Sequence, residues 1–147
     1  MKLFPVPSYT KRILGLDYGS KRIGVAVSDP LRIIAQGITV IEQSTGMMDF
    51  LQLLVKQYDI GEIVVGMPLT LKGEKGQKAE EVEKFIARIQ EAFQIPVIWL
   101  DERFTSRLAQ ETIRSMGVKK KQRQIKKNVD MAAAALILQQ YLDRVVR

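Results

Sequence analysis

Two short, almost wholly apolar runs, Glu62–Gly66 (EIVVG) and Val97–Leu100 (VIWL), constrain the fold most. A run this short and this apolar suits a strand buried on both faces, as in a parallel sheet covered by helices. Between the two runs, Ala79, Val82, Ile86, Ile89 and Phe93 recur at helical spacing. Met47, Leu51, Leu54, Val55 and Tyr58 do the same ahead of the first run. After the second, Leu108, Thr112, Ile113 and Met116 predict a further helix, with Thr105 as its N-cap and Gly117 as its terminator. A last helix is expected from about Asn128 to Asp143, its alanines at 132–135 offering a flat packing face. The N-terminal part has a different rhythm. Arg12–Tyr18 and Ile23–Ser28 read as strands joined by the short link Gly19-Ser20-Lys21-Arg22, an antiparallel hairpin. A third strand, Ile34–Ile41, follows the break at Asp29-Pro30. The expected order is βββαβαβα with a final helix. This is an α/β mixed five-stranded sheet, antiparallel on one side and parallel on the other, with helices on both faces. The length suits a single domain over residues 1–147, and 46% hydrophobic with 27% charged residues is a globular balance.

The chain contains no histidine and no cysteine. That excludes a Ser-His-Asp triad, a Cys-His pair, a His or Cys zinc site and any disulfide framework. The groups left for catalysis are carboxylates, lysines, tyrosines and hydroxyls. Demanding chemistry on such a chain points to Mg²⁺ or Mn²⁺ held by carboxylates.

Three acidic positions are candidates. Asp17 ends an apolar strand between Gly15 and Gly19, where an unpaired charge is costly unless it meets a partner or a metal; the alternative is an ordinary turn aspartate. Asp101-Glu102-Arg103 follows VIWL, and ligands of open α/β sheets bind beyond the carboxyl ends of strands. Period two puts Asp101 and Glu102 on opposite faces and does not choose between them; the alternative is a surface ion cluster of little energetic value. Asp130 is expected in the first turn of the last helix behind Asn128, where it would also serve simply to complement the helix dipole. Converging on one sheet edge, three carboxylates would hold two divalent cations about 4 Å apart, the arrangement that cleaves phosphodiesters without histidine.

The net charge of +7 is unevenly placed. Residues 1–100 carry 12 basic and 11 acidic side chains, whereas residues 101–147 carry 11 and 5. A polyanion is the expected partner, nucleic acid before anionic membrane. Lys119, Lys120, Lys121, Arg123, Lys126 and Lys127 precede Asp130 in a loop expected over Val118–Lys127. Ser20, Lys21 and Arg22 follow Asp17, and Arg103 follows the acidic pair. Such side chains position phosphates without reading sequence. A solvated surface is the bland alternative. Tyr18 and Phe104 are better read as core residues than as base-stacking ones, and Gly66-Met67-Pro68 as a strand terminator before the lysine-bearing loop Leu69–Gly76.

Four segments together resemble the YqgF/RuvX family: GLDYGSKRIGVAVSDP (15–30), VVGMPL (64–69), DERFTS (101–106) and NVDMAAAALIL (128–138). They stand in the right order over roughly residues 11–142. The resemblance implies an RNase H-like fold with Asp17, Glu102 and Asp130 as catalytic and metal-ligating residues, and so favours Glu102 over Asp101. It implies a metal-dependent endonuclease that processes the 5′ end of pre-16S rRNA in ribosome biogenesis. A Holliday-junction resolvase and a non-catalytic RNA-binding assembly factor are the alternatives. Implied partners are structured RNA, including ribosomal particles, or branched DNA. No membrane partner is expected, and a monomer and a homodimer both fit. An ATPase of the actin and sugar-kinase type shares a D-x-G loop but needs two such domains, more than this length provides. No apolar run approaches the roughly 18 residues of a membrane span, and a cytoplasmic protein is expected.

Overall fold

A computed structural model describes residues 11–69, 72–73, 75–101 and 122–145, with side chains from residue 127 onward in the last stretch. Among the described residues the elements follow as β1 (Arg12–Tyr18), β2 (Arg22–Ser28), β3 (Ala35–Glu42), α1 (Met47–Gln57), β4 (Ile60–Met67), α2 (Gln77–Phe93), β5 (Val97–Asp101) and α3 (Gln122–Val145). The sheet order is β3-β2-β1-β4-β5. β1 pairs antiparallel with β2 and parallel with β4; β2–β3 is antiparallel and β4–β5 parallel. The mixed sheet expected from the sequence is therefore present, with element bounds within about two residues through β5. The helix expected around Leu108–Met116 lies outside the described residues.

Alternation along the strands sends side chains into two cores. Leu14, Leu16, Ile23, Val25, Ile63, Val65 and Met67 face α1 and α2, where Leu51, Leu54, Val82, Phe85 and Ile89 meet them. Ile13, Ala26, Val64 and Leu100 face α3, against Ala134, Ile137, Leu138 and Leu142. The apolar run in β4 is thus explained, since Ile63 and Val65 are buried on one face and Val64 on the other. Among the described residues β5 is less covered: Leu100 is buried, but Trp99 is 49% exposed.

The second layer is unusually close. A Cβ on Gly15 would lie 2.7 Å from the Leu138 Cβ, one on Gly24 2.1 Å from the Asp130 carbonyl oxygen, and one on Gly37 3.0 Å from the Met131 Cβ. Gly15, Gly24 and Gly37 stand on adjacent strands around the small Ala26, and form a shallow groove in which α3 rests closely on the sheet. A glycine in a strand marks such an approach.

One expectation is corrected. α3 begins at Gln122, not near Asn128, so residues 122–127 of the expected loop are helical. Gln, Arg and Lys are good helix formers, and no glycine or proline interrupts the segment. Polarity was mistaken for irregularity. Asn128 is therefore no cap, and Asp130 sits in the third turn rather than the first, too far in to be explained by the helix dipole. Among the described residues no helix is long and apolar enough to cross a membrane.

Candidate active site

β1, β4 and β5 run parallel, so their carboxyl ends share one edge of the sheet, the usual position for a ligand crevice. Asp17 stands there, next to the last residue of β1 and in register with Gly24 of β2. Cross-strand partners point to the same side of a sheet. Gly24 faces the α3 backbone at Asp130, so Asp17 and Asp130 lie on the same face at the same edge. The bare Gly24 is what lets the helix bring Asp130 there.

Asp130 is held from β2. Arg22 Nε donates to its Oδ2 at 2.7 Å, and the two side chains are 30% and 22% exposed, open enough for solutes to reach. Asp130 Oδ1 and the two Nη groups of Arg22 make no hydrogen bond to a described residue. Arg22 was expected as a phosphate ligand only; its ion pair with a second candidate residue is a tertiary fact, since 108 residues separate the two.

The link 19–22 is a tight turn in which a Cβ on Gly19 would meet the Arg22 carbonyl oxygen at 2.5 Å. Gln43, just past β3, clamps it: its Nε2 donates to the Gly19 carbonyl and its backbone N–H to the Lys21 carbonyl, both at 2.9 Å. Ser20 and Lys21 are thereby displayed, exposed, on a fixed turn beside Asp17. Lys127 is exposed three residues, about one helical turn, before Asp130. Arg123 and Lys126 stand in α3 rather than in a loop. Glu102, Arg103, Lys119, Lys120 and Lys121 lie outside the described residues.

Asp101 pairs in register with Met67, which is buried against α1 and α2, while Leu100 belongs to the α3 core. Asp101 therefore takes the face opposite Asp17. Tyr18 stacks on Phe85 in the α2 core with centroids 4.7 Å apart, as a core residue should. Met67 is buried, and Lys75 pairs with Glu83 of α2 rather than with Asp17.

The donor set suits a hard divalent cation. Asp17 and Asp130 offer carboxylate oxygens on one face, Asp130 Oδ1 making no hydrogen bond to a described residue, and the chain has no histidine or cysteine. Among the described residues no three acids gather; Asp17 and Asp130 share one face at this edge.

Sequence reasoning missed a second cluster on the α3 face. Tyr141 donates to Glu62 Oε2 at 2.7 Å, and Arg32 Nη1 lies 3.5 Å from Glu62 Oε1. Burial first, and then the bond to Glu62, push the Tyr141 hydroxyl up to about 12. A lone acid inside the apolar run EIVVG was the available signal. The cluster lies toward the far end of α3 from Asp130 and braces the helix.

The model of the RuvX family, described as "Holliday junction resolvase", matches residues 11–144. The chain belongs to this family. Among RuvX-family relatives, one from Dictyoglomus turgidum is 40% identical over 134 residues, covering 90% of this chain and 94% of the relative. One from Sulfurihydrogenibium is 44% identical over 136 residues, covering 91% of each. Both carry the name "Putative pre-16S rRNA nuclease". Among solved structures, fowlpox virus resolvase bound to Holliday junction DNA aligns with a TM-score of 0.60 at 15% identity, covering 92% of this chain and 99% of that one. Thermus thermophilus RuvC aligns at 0.55 and 13%, covering 92% and 96%. At such identity these two likenesses speak for the fold, a RuvC-like and hence RNase H-like sheet.

Proposed function

We propose that this RuvX-family chain is a Mg²⁺- or Mn²⁺-dependent endonuclease that hydrolyses phosphodiester bonds and processes the 5′ end of pre-16S rRNA. The observation that carries the reading is the convergence of Asp17 and Asp130 at the carboxyl edge of the sheet, with Lys21, Arg22 and Lys127 around them. The name of the 40–44% identical relatives supports RNA as the substrate.

Asp17 and Asp130 would hold the cation, with Glu102, the acid that the family resemblance favours, as third ligand. The cation would supply Lewis acidity and activate a water, in a chain that has no histidine to act as general base. Lys21 and Lys127 would bind flanking phosphates and set the scissile one over the acids, a positioning task that needs charge and no base contact. The turn clamped by Gln43 keeps Lys21 in place while the substrate binds. Hydrolysis adds the oxygen of water to phosphorus and breaks the P–O3′ bond, leaving a 5′-phosphate and a 3′-hydroxyl.

The test offers a 5′-extended small-subunit rRNA precursor and a four-way DNA junction, each with Mn²⁺, Mg²⁺ or EDTA, to the protein and to Asp17→Asn. Metal-dependent cutting of the RNA, lost in the variant, is the expected result. Paired symmetric nicks in the junction would transfer the reading to a dimeric branched-DNA resolvase, the second reading favoured by the family's description. RNA binding that persists in EDTA with no cutting under any condition would leave a non-catalytic assembly factor.

A further inference from the structure

The Arg22–Asp130 pair is an unusual way to furnish a cation site. A guanidinium presents five N–H donors in a planar fork and meets a carboxylate best through two of them. Here it uses Nε alone, on Oδ2, at 2.7 Å. Its two Nη groups make no hydrogen bond to a described residue, and the side chain is 30% exposed. The single contact on a half-open pair is weak enough to be exchanged. Arg22 also starts β2, directly after the clamped turn that presents Lys21, so two cations stand side by side at the rim of the site.

We propose that Arg22 is an exchangeable counter-ion of the site. Without nucleic acid it neutralises Asp130 and competes with a divalent cation for that carboxylate. With nucleic acid its Nη edge takes a backbone phosphate, its hold on Asp130 loosens, and the carboxylate becomes available to the cation. Cation and substrate then favour each other's binding, and the coupling is reciprocal. The site is kept weakly loaded until a substrate arrives. The inference rests on the proposed cation site at Asp17 and Asp130. Arg22 acts through Asp130 and the phosphate and is a positioning residue.

The competition has a sign that a purely structural role lacks. If Arg22 only oriented Asp130, removing it would weaken cation binding. If it competes, removing it strengthens binding in the absence of nucleic acid. The experiment measures Mn²⁺ binding to the full chain by electron paramagnetic resonance, with no nucleic acid, for the wild type, Arg22→Gln, Arg22→Lys and Asp17→Asn. A second arm measures binding of a fluorescent single-stranded RNA 20-mer in EDTA as a function of salt. Arg22→Gln should bind Mn²⁺ about fivefold more tightly, the factor matching release of a half-exposed ion pair. It should bind the RNA more weakly, with a salt slope smaller by about 1. Arg22→Lys, a single donor head, should keep most of the RNA affinity, and it carries the test should the glutamine variant misfold by circular dichroism. Unchanged or weaker Mn²⁺ binding in Arg22→Gln, beside wild-type binding that Asp17→Asn abolishes, overturns the counter-ion and leaves the cation site standing. Mn²⁺ binding to neither the wild type nor the arginine variants overturns both. Unchanged RNA affinity and salt slope in Arg22→Gln overturn the phosphate half.

Discussion

Gly24→Ala is the sharpest perturbation of the architecture that places the site. The added Cβ would lie 2.1 Å from the carbonyl oxygen of Asp130, 2.7 Å from its carbonyl carbon and 3.4 Å from its Cα. All three atoms belong to the helix backbone, so no side-chain rotation relieves the clash. Restoring ordinary contact requires α3 to move off β2 by about 1 Å, and overpacking of this kind typically costs 1–3 kcal/mol. Gly15 and Gly37 seat the same helix on the neighbouring strands, so lifting it also opens the contacts of Ala134, Ile137 and Leu138. We therefore expect the top of that range, about 3 kcal/mol, a large share of the 5–15 kcal/mol usual for a domain. Activity should fall further than stability, because a displacement near 1 Å at Asp130 is worth about a hundredfold in rate. Urea unfolding reads the first effect and Mn²⁺-dependent cleavage by the folded fraction the second. Gly76→Ala is the control: no neighbour lies within 4 Å of its Cβ and its φ is −96°, so its stability should change by about 0.5 kcal/mol or less. A Gly24→Ala protein with wild-type unfolding and wild-type cleavage would refute the claim that α3 needs a bare strand there.

Asp17→Asn should fold normally and lose about a thousandfold in cleavage rate, measured in single-turnover assays, since an amide is a poor ligand for a hard cation. Tyr141→Phe should cost about 1–2 kcal/mol in urea unfolding by leaving the partly buried Glu62 short of a donor. Because the Tyr141 pKa in the folded chain is raised to about 12 from an ordinary 10, its contribution is full below about pH 10 and is lost as pH climbs toward 12. The phenylalanine variant should lack that alkaline decline. Asp29 works in the opposite direction. Burial would raise its carboxyl, but the backbone N–H groups of Ile34 and Ile33, 2.8 and 2.6 Å from Oδ1, outweigh burial and lower it. Its contribution is present above about pH 4 and lost as pH falls below that, and Asp29→Asn should flatten the acid limb of a stability–pH curve.

Local pattern and tertiary placement divide cleanly along this chain. The period-two and period-3.6 rhythms, the apolar runs EIVVG and VIWL, and the link Gly19–Arg22 were enough to place the strands, α1 and α2. Those signals are local, and β4 is covered on both faces as its run demands. The start of α3 was not legible from polarity, because helix propensity and solvent exposure coexist in Gln122–Lys127. The groove of Gly15, Gly24 and Gly37 left a signal, glycine inside strands, whose meaning appears only when three strands lie side by side.

By itself the sequence determined the chemistry available: no histidine, no cysteine, acids at strand ends and a basic C-terminal third. The choice of partners was made by the tertiary structure. Register put Asp17 opposite Gly24 and sent Asp101 to the other face, and helix docking carried Asp130 across more than a hundred residues onto Arg22. Residue type and spacing report what a side chain can do and which way a local element turns it. Which charges meet depends on how layers pack, and packing is settled by contacts between segments that no local window contains.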